Sequence, residues 1–457
     1  MHTNFNFKIM KRIYLFFLLL LATWSVQSQE SLWTSVVTSQ PEGFNIEAEG
    51  NIKISSGEGL AWLISSVNGL NGQTANDYAD LIITLENDID ISGNKWVAIG
   101  NQSNPFRGTF NGQGFSIKGI YMYDAWYGKN YGLFGRLDNA TIKNVVLEEG
   151  EIVGYDECGG IAYLAENNTL IDRCTVMTTM SFGNDSGGIV GTNRDSKISN
   201  CAVVPESFGA QVSCNGGIVG QNIATNADAI IENCYSVSMV SASYSTFYMG
   251  GIVGRNLTES ESFKAIVRNC YATPMGVYGS YCGGVAGYNS DKSLIENSYT
   301  NNTYEYGLFG ENKGETVNCT VFFEDLKLYE NVNVFDDNAN NLLTALDLWV
   351  DNFPEDQYLS WECADENTNY GFPFFASTED IDEINNKDIV LYPNPAKDFV
   401  KIERDNITKL EIYNVLGILI DKIEVNSNEI VINISDYAPG IYFFNIDGKS
   451  IKVIKNP

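Results

Sequence analysis

A glycine pair followed by a short apolar run recurs five times along the middle of the chain, a pattern that few folds can accommodate. It reads Gly159-Gly160-Ile161-Ala162, Gly187-Gly188-Ile189-Val190-Gly191, Gly216-Gly217-Ile218-Val219-Gly220, Gly250-Gly251-Ile252-Val253-Gly254 and Gly283-Gly284-Val285-Ala286-Gly287. Degenerate copies, Tyr131-Gly132-Leu133-Phe134-Gly135 and Tyr306-Gly307-Leu308-Phe309-Gly310, flank the set. A second phrase follows each copy after a polar stretch: Ile142-Lys143-Asn144, Ile198-Ser199-Asn200-Cys201, Ile231-Glu232-Asn233-Cys234, Val267-Arg268-Asn269-Cys270, Ile295-Glu296-Asn297-Ser298 and Thr316-Val317-Asn318-Cys319. One copy, Ile171-Asp172-Arg173-Cys174, lacks the asparagine. Successive glycine pairs lie 28, 29, 34 and 33 residues apart.

A period near 30 built from short β-branched runs between Gly and Asn turns fits one coil of a β-solenoid. A helical repeat would need longer runs of 3.6-residue periodicity. Stacked coils place equivalent residues about 4.8 Å apart. Asn200, Asn233, Asn269 and Asn297 then form a ladder at a turn, where asparagine tolerates left-handed backbone and its amide can bond the copies above and below. Cys174, Cys201, Cys234 and Cys270 form a column just inside it, and the glycine pairs permit a bend that side chains would block.

The pattern resembles the GLUG repeat of bacterial surface proteins over residues 106–321. The resemblance implies a parallel β-helix. Residues 29–105 are expected to supply an N-terminal cap, with a helix over Gly57 to Val67, and the first strands. Residues 322–376 are expected to close the C-terminal end, and 377–387, with Glu379, Asp380, Asp382 and Glu383, read as an acidic linker. The expected fold class is therefore all-β, a parallel β-solenoid with small α/β end caps followed by a β-sandwich.

That last expectation rests on residues 388–457. They carry Leu391-Tyr392-Pro393-Asn394-Pro395-Ala396 with Asp398, then Leu410-Glu411-Ile412-Tyr413-Asn414-Val415-Leu416-Gly417, then Ala438-Pro439-Gly440-Ile441-Tyr442, and a basic end with Lys452 and Lys455. In this order they resemble the type A sorting domain of the type IX secretion system. The resemblance implies a Gram-negative source, translocation by that machinery, and covalent transfer to the outer-membrane surface by its attachment enzyme rather than a transmembrane segment.

The other end agrees with export. Lys8, Lys11 and Arg12 precede an apolar run from Ile13 to Ala22 and the small-residue stretch Val26-Gln27-Ser28. This is the layout of a secretory signal peptide over residues 1–28. Cleavage after Ser28 would leave Gln29 first and take the formal net charge from −29 to −32. Such acidity gives no electrostatic reason to bind nucleic acid. It suits extracellular solubility; calcium is compatible, but no motif supports it, and no cofactor is expected.

The chain's one histidine is His2, inside the leader. A mature chain would have no Ser-His-Asp or Cys-His centre, no His-ligated zinc and no HExxH site. The nine cysteines are read mainly as packed free thiols, since a repeated column is explained by shape alone. Parallel β-helices also carry polysaccharide lyases and hydrolases that work through carboxylates. Asp156, Glu157, Asp185 and Asp195 lie near repeat turns, but none recurs with a basic residue at fixed spacing. Catalytic residues are therefore not expected.

A binding surface has somewhat more support. The insert from Tyr121 to Tyr131 carries five aromatics, among them Tyr123, Trp126 and Tyr127, the kind of side chain that stacks on sugar rings. Tyr244, Phe247, Tyr248, Tyr278 and Tyr281 add to it. An adhesin-like protein that binds a glycan or a host or matrix protein is the favoured reading, and a polysaccharide-active enzyme the alternative.

Overall fold

In each repeat the buried positions alternate along runs of only three to six residues. Such runs can bury an apolar face only by stacking on equivalent runs in neighbouring coils. The computed structural model shows this arrangement. It describes residues 31–455 except 48–49, 124–130, 155–156, 182–184, 205–210, 214, 238, 242–247, 274–276, 279–280, 302–306, 323–340, 354–357, 363–371, 377–389, 393–395, 398, 415–418, 436, 438–439 and 447–448. Two compact units emerge, Met1–Ala376 and Ser377–Pro457.

In the first unit the coils build four parallel sheets. The glycine phrase supplies the first face, seven strands from Phe134–Asp138 to Phe309–Asn312. The second phrase supplies an eleven-stranded face, parallel except for the antiparallel pair Phe44–Ile46 with Ile52–Ile54. A nine-stranded third face follows the Asn turn, and a six-stranded fourth face completes the coil. The register is uniform: Ile142, Ile171, Ile198, Ile231, Val267 and Ile295 pair in succession and are fully buried. Burying such a side chain is worth about 1.5–3 kcal/mol, so a six-membered column contributes substantially.

A helix, Gly57–Asn68, closes the N-terminal end. Ser56 caps it by accepting a hydrogen bond from Gly59 N at 3.1 Å, and Gly69 ends it in left-handed backbone at φ 69°. Its face of Leu60, Leu63, Ile64 and Val67 joins the core of the first coil. Among the described residues no helix is long and apolar enough to cross a membrane.

The C-terminal part of the first unit departs from expectation. Residues 322–376 were expected to close the far end of the solenoid. Instead the helix Leu342–Asp351 and the short strands Trp361–Glu362 and Phe374–Phe375 lie along its flank. The reason is a change on the third face. Its outward column runs Ala202, Tyr235, Tyr271, Tyr299 by register, and these tyrosines need cover. Leu342, Leu346, Trp361 and Phe372 supply it. Tyr235 and Tyr271 stack at 5.3 Å, nearly parallel, and Trp361 closes over both at 5.7 and 5.6 Å. In the last coil Glu315–Val317 is exposed.

The second unit is one antiparallel sheet of Val390–Tyr392, Phe399–Asn414, Leu419–Asn433, Gly440–Ile446 and Lys449–Lys455. Register shifts between Glu403 and Lys409 bend its two long strands. Val400 and Ile402 before the shifts and Leu410 and Ile412 after them therefore share one core with Phe444 and Val453.

Candidate functional site

Functional side chains can be sought only after subtracting those that hold the coils together. Asn144, Asn200, Asn233, Asn269, Asn297 and Asn318 all sit in left-handed backbone, at φ between 47° and 55°. Their amides donate down the column: Asn233 to Asn200 Oδ1 at 2.8 Å, Asn269 to Asn233 at 2.8 Å and Asn297 to Asn269 at 3.0 Å. Arg173 keeps the left-handed turn at φ 52° without an amide, and Asp172 beside it accepts from Asn200 instead, at 2.6 Å. Burial, opposed by the Asn200 hydrogen bond, raises the Asp172 carboxyl above its ordinary range.

The same column anchors the flank. Asn233, Asn269 and Asn297 donate to the carbonyls of Leu359, Leu346 and Ala345, and Trp361 Nε1 donates to Asn233 Oδ1 at 3.0 Å. The cysteines are equally committed. Cys201, Cys234 and Cys270 donate to carbonyls two residues back at 3.1, 3.1 and 3.2 Å, and Ser298 does the same with its hydroxyl at 2.9 Å. Burial pushes the thiols of Cys174, Cys201 and Cys234 well above their ordinary range. Seven cysteines among the described residues are free thiols.

A second asparagine column escaped the sequence reading. Asn193, Asn222, Asn256, Asn289 and Asn312 follow the glycine phrase, and each amide donates to the next Oδ1, at 2.7, 2.9, 2.9 and 2.8 Å. The signal was available in Gly187-Gly188-Ile189-Val190-Gly191-Thr192-Asn193 and its later copies. The column stops below Asn193 because its register partner there is Ala165, and Asn193 Oδ1 lacks a partner.

Glycine has a different job from the one expected. The pairs are absent from the positive-φ positions; they stack on each other, so that a Cβ on Gly160 would meet Gly188 O at 2.7 Å. The third glycine of the phrase admits a loop. A Cβ on Gly220 would lie 2.5 Å from the Asp185 backbone, and one on Gly310 2.5 Å from Tyr281. The segment before each glycine pair thus rests directly on the outer surface of the first face.

That overlap creates the one concentrated aromatic surface among the described residues of this face. Tyr248 and Tyr281 are register partners with rings 4.9 Å apart, and Tyr288 lies 4.9 Å from Tyr248. Tyr288 belongs to the outward column Gln221, Arg255, Tyr288, Glu311. Glu311 accepts from Tyr248 Oη at 3.3 Å and pairs with Lys313 at 2.9 Å, while Lys313 lies 5.4 Å over the Tyr288 ring. At the other edge Arg255 pairs with Asp185 at 2.5 Å. Tyr281 remains 43% exposed.

Of the residues expected to bind ligand, Tyr123 ends a strand of the fourth face and is 49% exposed, whereas Trp126 and Tyr127 lie outside the described residues. The carboxylates near repeat turns are engaged: Asp185 with Arg255, and buried Asp195 with the backbone N–H groups of Thr225 and Asn226 at 2.6 and 3.0 Å. Asp156 lies outside the described residues, as do Ser28 and Gln29 of the leader. No three His, Cys, Asp or Glu side chains among the described residues are grouped to hold a metal ion.

In the second unit Tyr392 ends a strand, Gly440 begins one, Lys452 lies within the last, and Tyr442 and Lys455 are buried. Pro393, Asn394, Pro395, Asp398, Gly417 and Pro439 lie outside the described residues. The family comparison decides what this unit is, matching residues 390–456 to a secretion system C-terminal sorting domain. The tail is a type IX sorting domain. This sorting domain implies interaction with the type IX machinery, secretion and attachment at the cell surface. Beta-agarase A of Zobellia galactanivorans is 42% identical over 67 residues, which are 14% of this chain and 12% of that protein.

The Immunoglobulin A1 protease of Streptococcus sanguinis is 28% identical over 239 residues, 48% of this chain and 12% of that protein. The chain thus spans about an eighth of each of these curated relatives. A crystal structure of a candidate immunoglobulin A1 protease from Bacteroides ovatus superposes with a TM-score of 0.50 at 20% identity, over 72% of this chain and 93% of that one. That likeness concerns the β-solenoid fold.

Proposed function

We propose that the solenoid is a non-catalytic, adhesin-like module that the sorting domain delivers to the cell surface, where it binds a glycan or a host or matrix protein. The carrying observation is the contrast between tied carboxylates and an open aromatic patch. Asp185 and Asp195 are held by an arginine and by backbone N–H groups, while the Tyr281 ring faces solvent in part. A lyase or hydrolase needs carboxylates placed to exchange protons with a substrate. The leader over residues 1–28 and the GLUG-like repeats support the same reading, as does covalent surface attachment through the sorting domain.

The names of the relatives raise a competing reading, cleavage of an immunoglobulin A1 chain. Residues 29–457 contain no histidine for a serine, cysteine or zinc centre of the usual kinds. The full chain should bind on a glycan array and, in parallel, leave a polysaccharide panel and immunoglobulin A1 intact. New reducing ends, unsaturated products or heavy-chain fragments would overturn the proposal.

A further inference from the structure

We propose that Tyr248, Tyr281 and Tyr288, with Glu311 and Lys313 at one edge and Arg255 and Asp185 at the other, form a binding site for a neutral pyranose chain. The inference rests on the reading of the solenoid as a binding module and names its site and ligand class.

Three features carry it. First, the patch is fixed in place. The backbone of Tyr281 rests on Gly310 and that of Tyr248 on Gly287, where any Cβ would collide with it, so the rings are carried on sheet rather than on a free loop. A preorganised aromatic loses little entropy on binding. Second, the chemistry is mixed. Aromatic faces take the C–H side of a sugar ring, and the flanking carboxylates, ammonium and guanidinium offer acceptors and donors to its hydroxyls. Third, the sign of the surroundings selects. Glu311 touches Tyr248 directly, and the chain carries a formal net charge of −29, which disfavours uronate or sulfate chains. The pre-glycine segments of earlier coils place Glu157 and Asp185 where these coils place Tyr248 and Tyr281, over the third glycine of the phrase. The aromatic character is therefore local to the last coils.

Calorimetric titration of the full chain with cellohexaose, laminarihexaose, mannohexaose and hexagalacturonate tests the site. At least one neutral hexaose should bind and hexagalacturonate should not. Tyr281→Ala and Tyr288→Ala should each weaken binding about tenfold or more, and Tyr281→Phe should retain it. Circular dichroism of each variant confirms that the coils persist. Neutral-glycan binding that survives both alanine variants overturns the site but leaves the binding module standing. Binding of hexagalacturonate alone overturns the ligand class. No binding to these probes overturns the neutral-pyranose proposal, and the reading of the module as glycan-binding falls only if the array is also blank.

Discussion

Replacing Asn222 with leucine tests whether the inner amide column stabilises the solenoid or merely occupies it. Leucine suits the position in shape, because Leu137 occupies the same register column three coils earlier. Its chemistry does not suit. Asn222 is fully buried, donates to Asn256 Oδ1 and Ala229 O at 2.9 Å each, and accepts from Asn193 at 2.7 Å. Removing it strands the Asn256 oxygen at a cost of about 1–3 kcal/mol and forfeits net hydrogen-bond energy of about 1 kcal/mol. The expected loss is about 2–4 kcal/mol, minus what the added apolar burial returns. Asn312, the exposed end of the same column, is the control. Asn312 is exposed and accepts the last bond of the column, so Asn312→Leu removes one bond from buried Asn289 where Asn222→Leu breaks bonds on both sides, and it should cost less. Urea unfolding followed by circular dichroism, with m shared among variants, reads both changes from the midpoint shift. Equal shifts, or a more stable Asn222→Leu chain, would refute the reasoning.

Two further outcomes follow from the geometry. Cys158, Cys174, Cys201, Cys234 and Cys270 are fully buried, and burial raises Cys282 to about 11, so Ellman's reagent should label these six only after denaturation; mass mapping that finds rapid native labelling at any of them would contradict the described packing. Glu232 is fully buried between Lys197 and Arg268, whose Nε and Nη2 lie 2.9 and 2.7 Å from it, and Arg268 in turn sits 5.6 Å from the Trp349 ring of the flank helix. Glu232→Gln should destabilise by about 3 kcal/mol in the same urea assay, the low end for a broken buried pair because both cations keep some solvent access; an unchanged midpoint would show that the triad is energetically neutral.

The coil geometry was legible because period and chemistry coincide. A glycine pair every thirty residues and an asparagine before a cysteine leave little choice but stacked turns, and the helix expected over Gly57 to Val67 runs one residue further, to Asn68. Three things were not legible for physical reasons. Asn193, Asn222, Asn256 and Asn289 point inward, where sequence pattern predicts apolar residues, and only the continuous amide chain makes that burial tolerable. The third glycine serves a loop from the preceding coil, so its purpose appears only when coils of different length are superposed. The flank segment was not legible because its place after the last repeat suggests an end cap, whereas the outward rings of Tyr235, Tyr271 and Tyr299, which it covers, become a column only once the coils are stacked. Of the candidate site, Tyr248 and Tyr281 were noted but Tyr288 and Glu311 were not, since only the register brings them alongside.

The flank segment also bears on how such a chain can change length. Repeat arrays grow and shrink by duplicating or losing whole coils, because each copy touches only its neighbours. Here a stretch without repeats is tied to Asn200, Asn233, Asn269 and Asn297 in four successive coils. A coil gained or lost within that span would shift part of those anchor points by about 4.8 Å and break the match. One inserted between Ile142 and Cys174 would disturb none of them. The bound segment thus sets the number of coils in one half of the rod and leaves the other half free to vary.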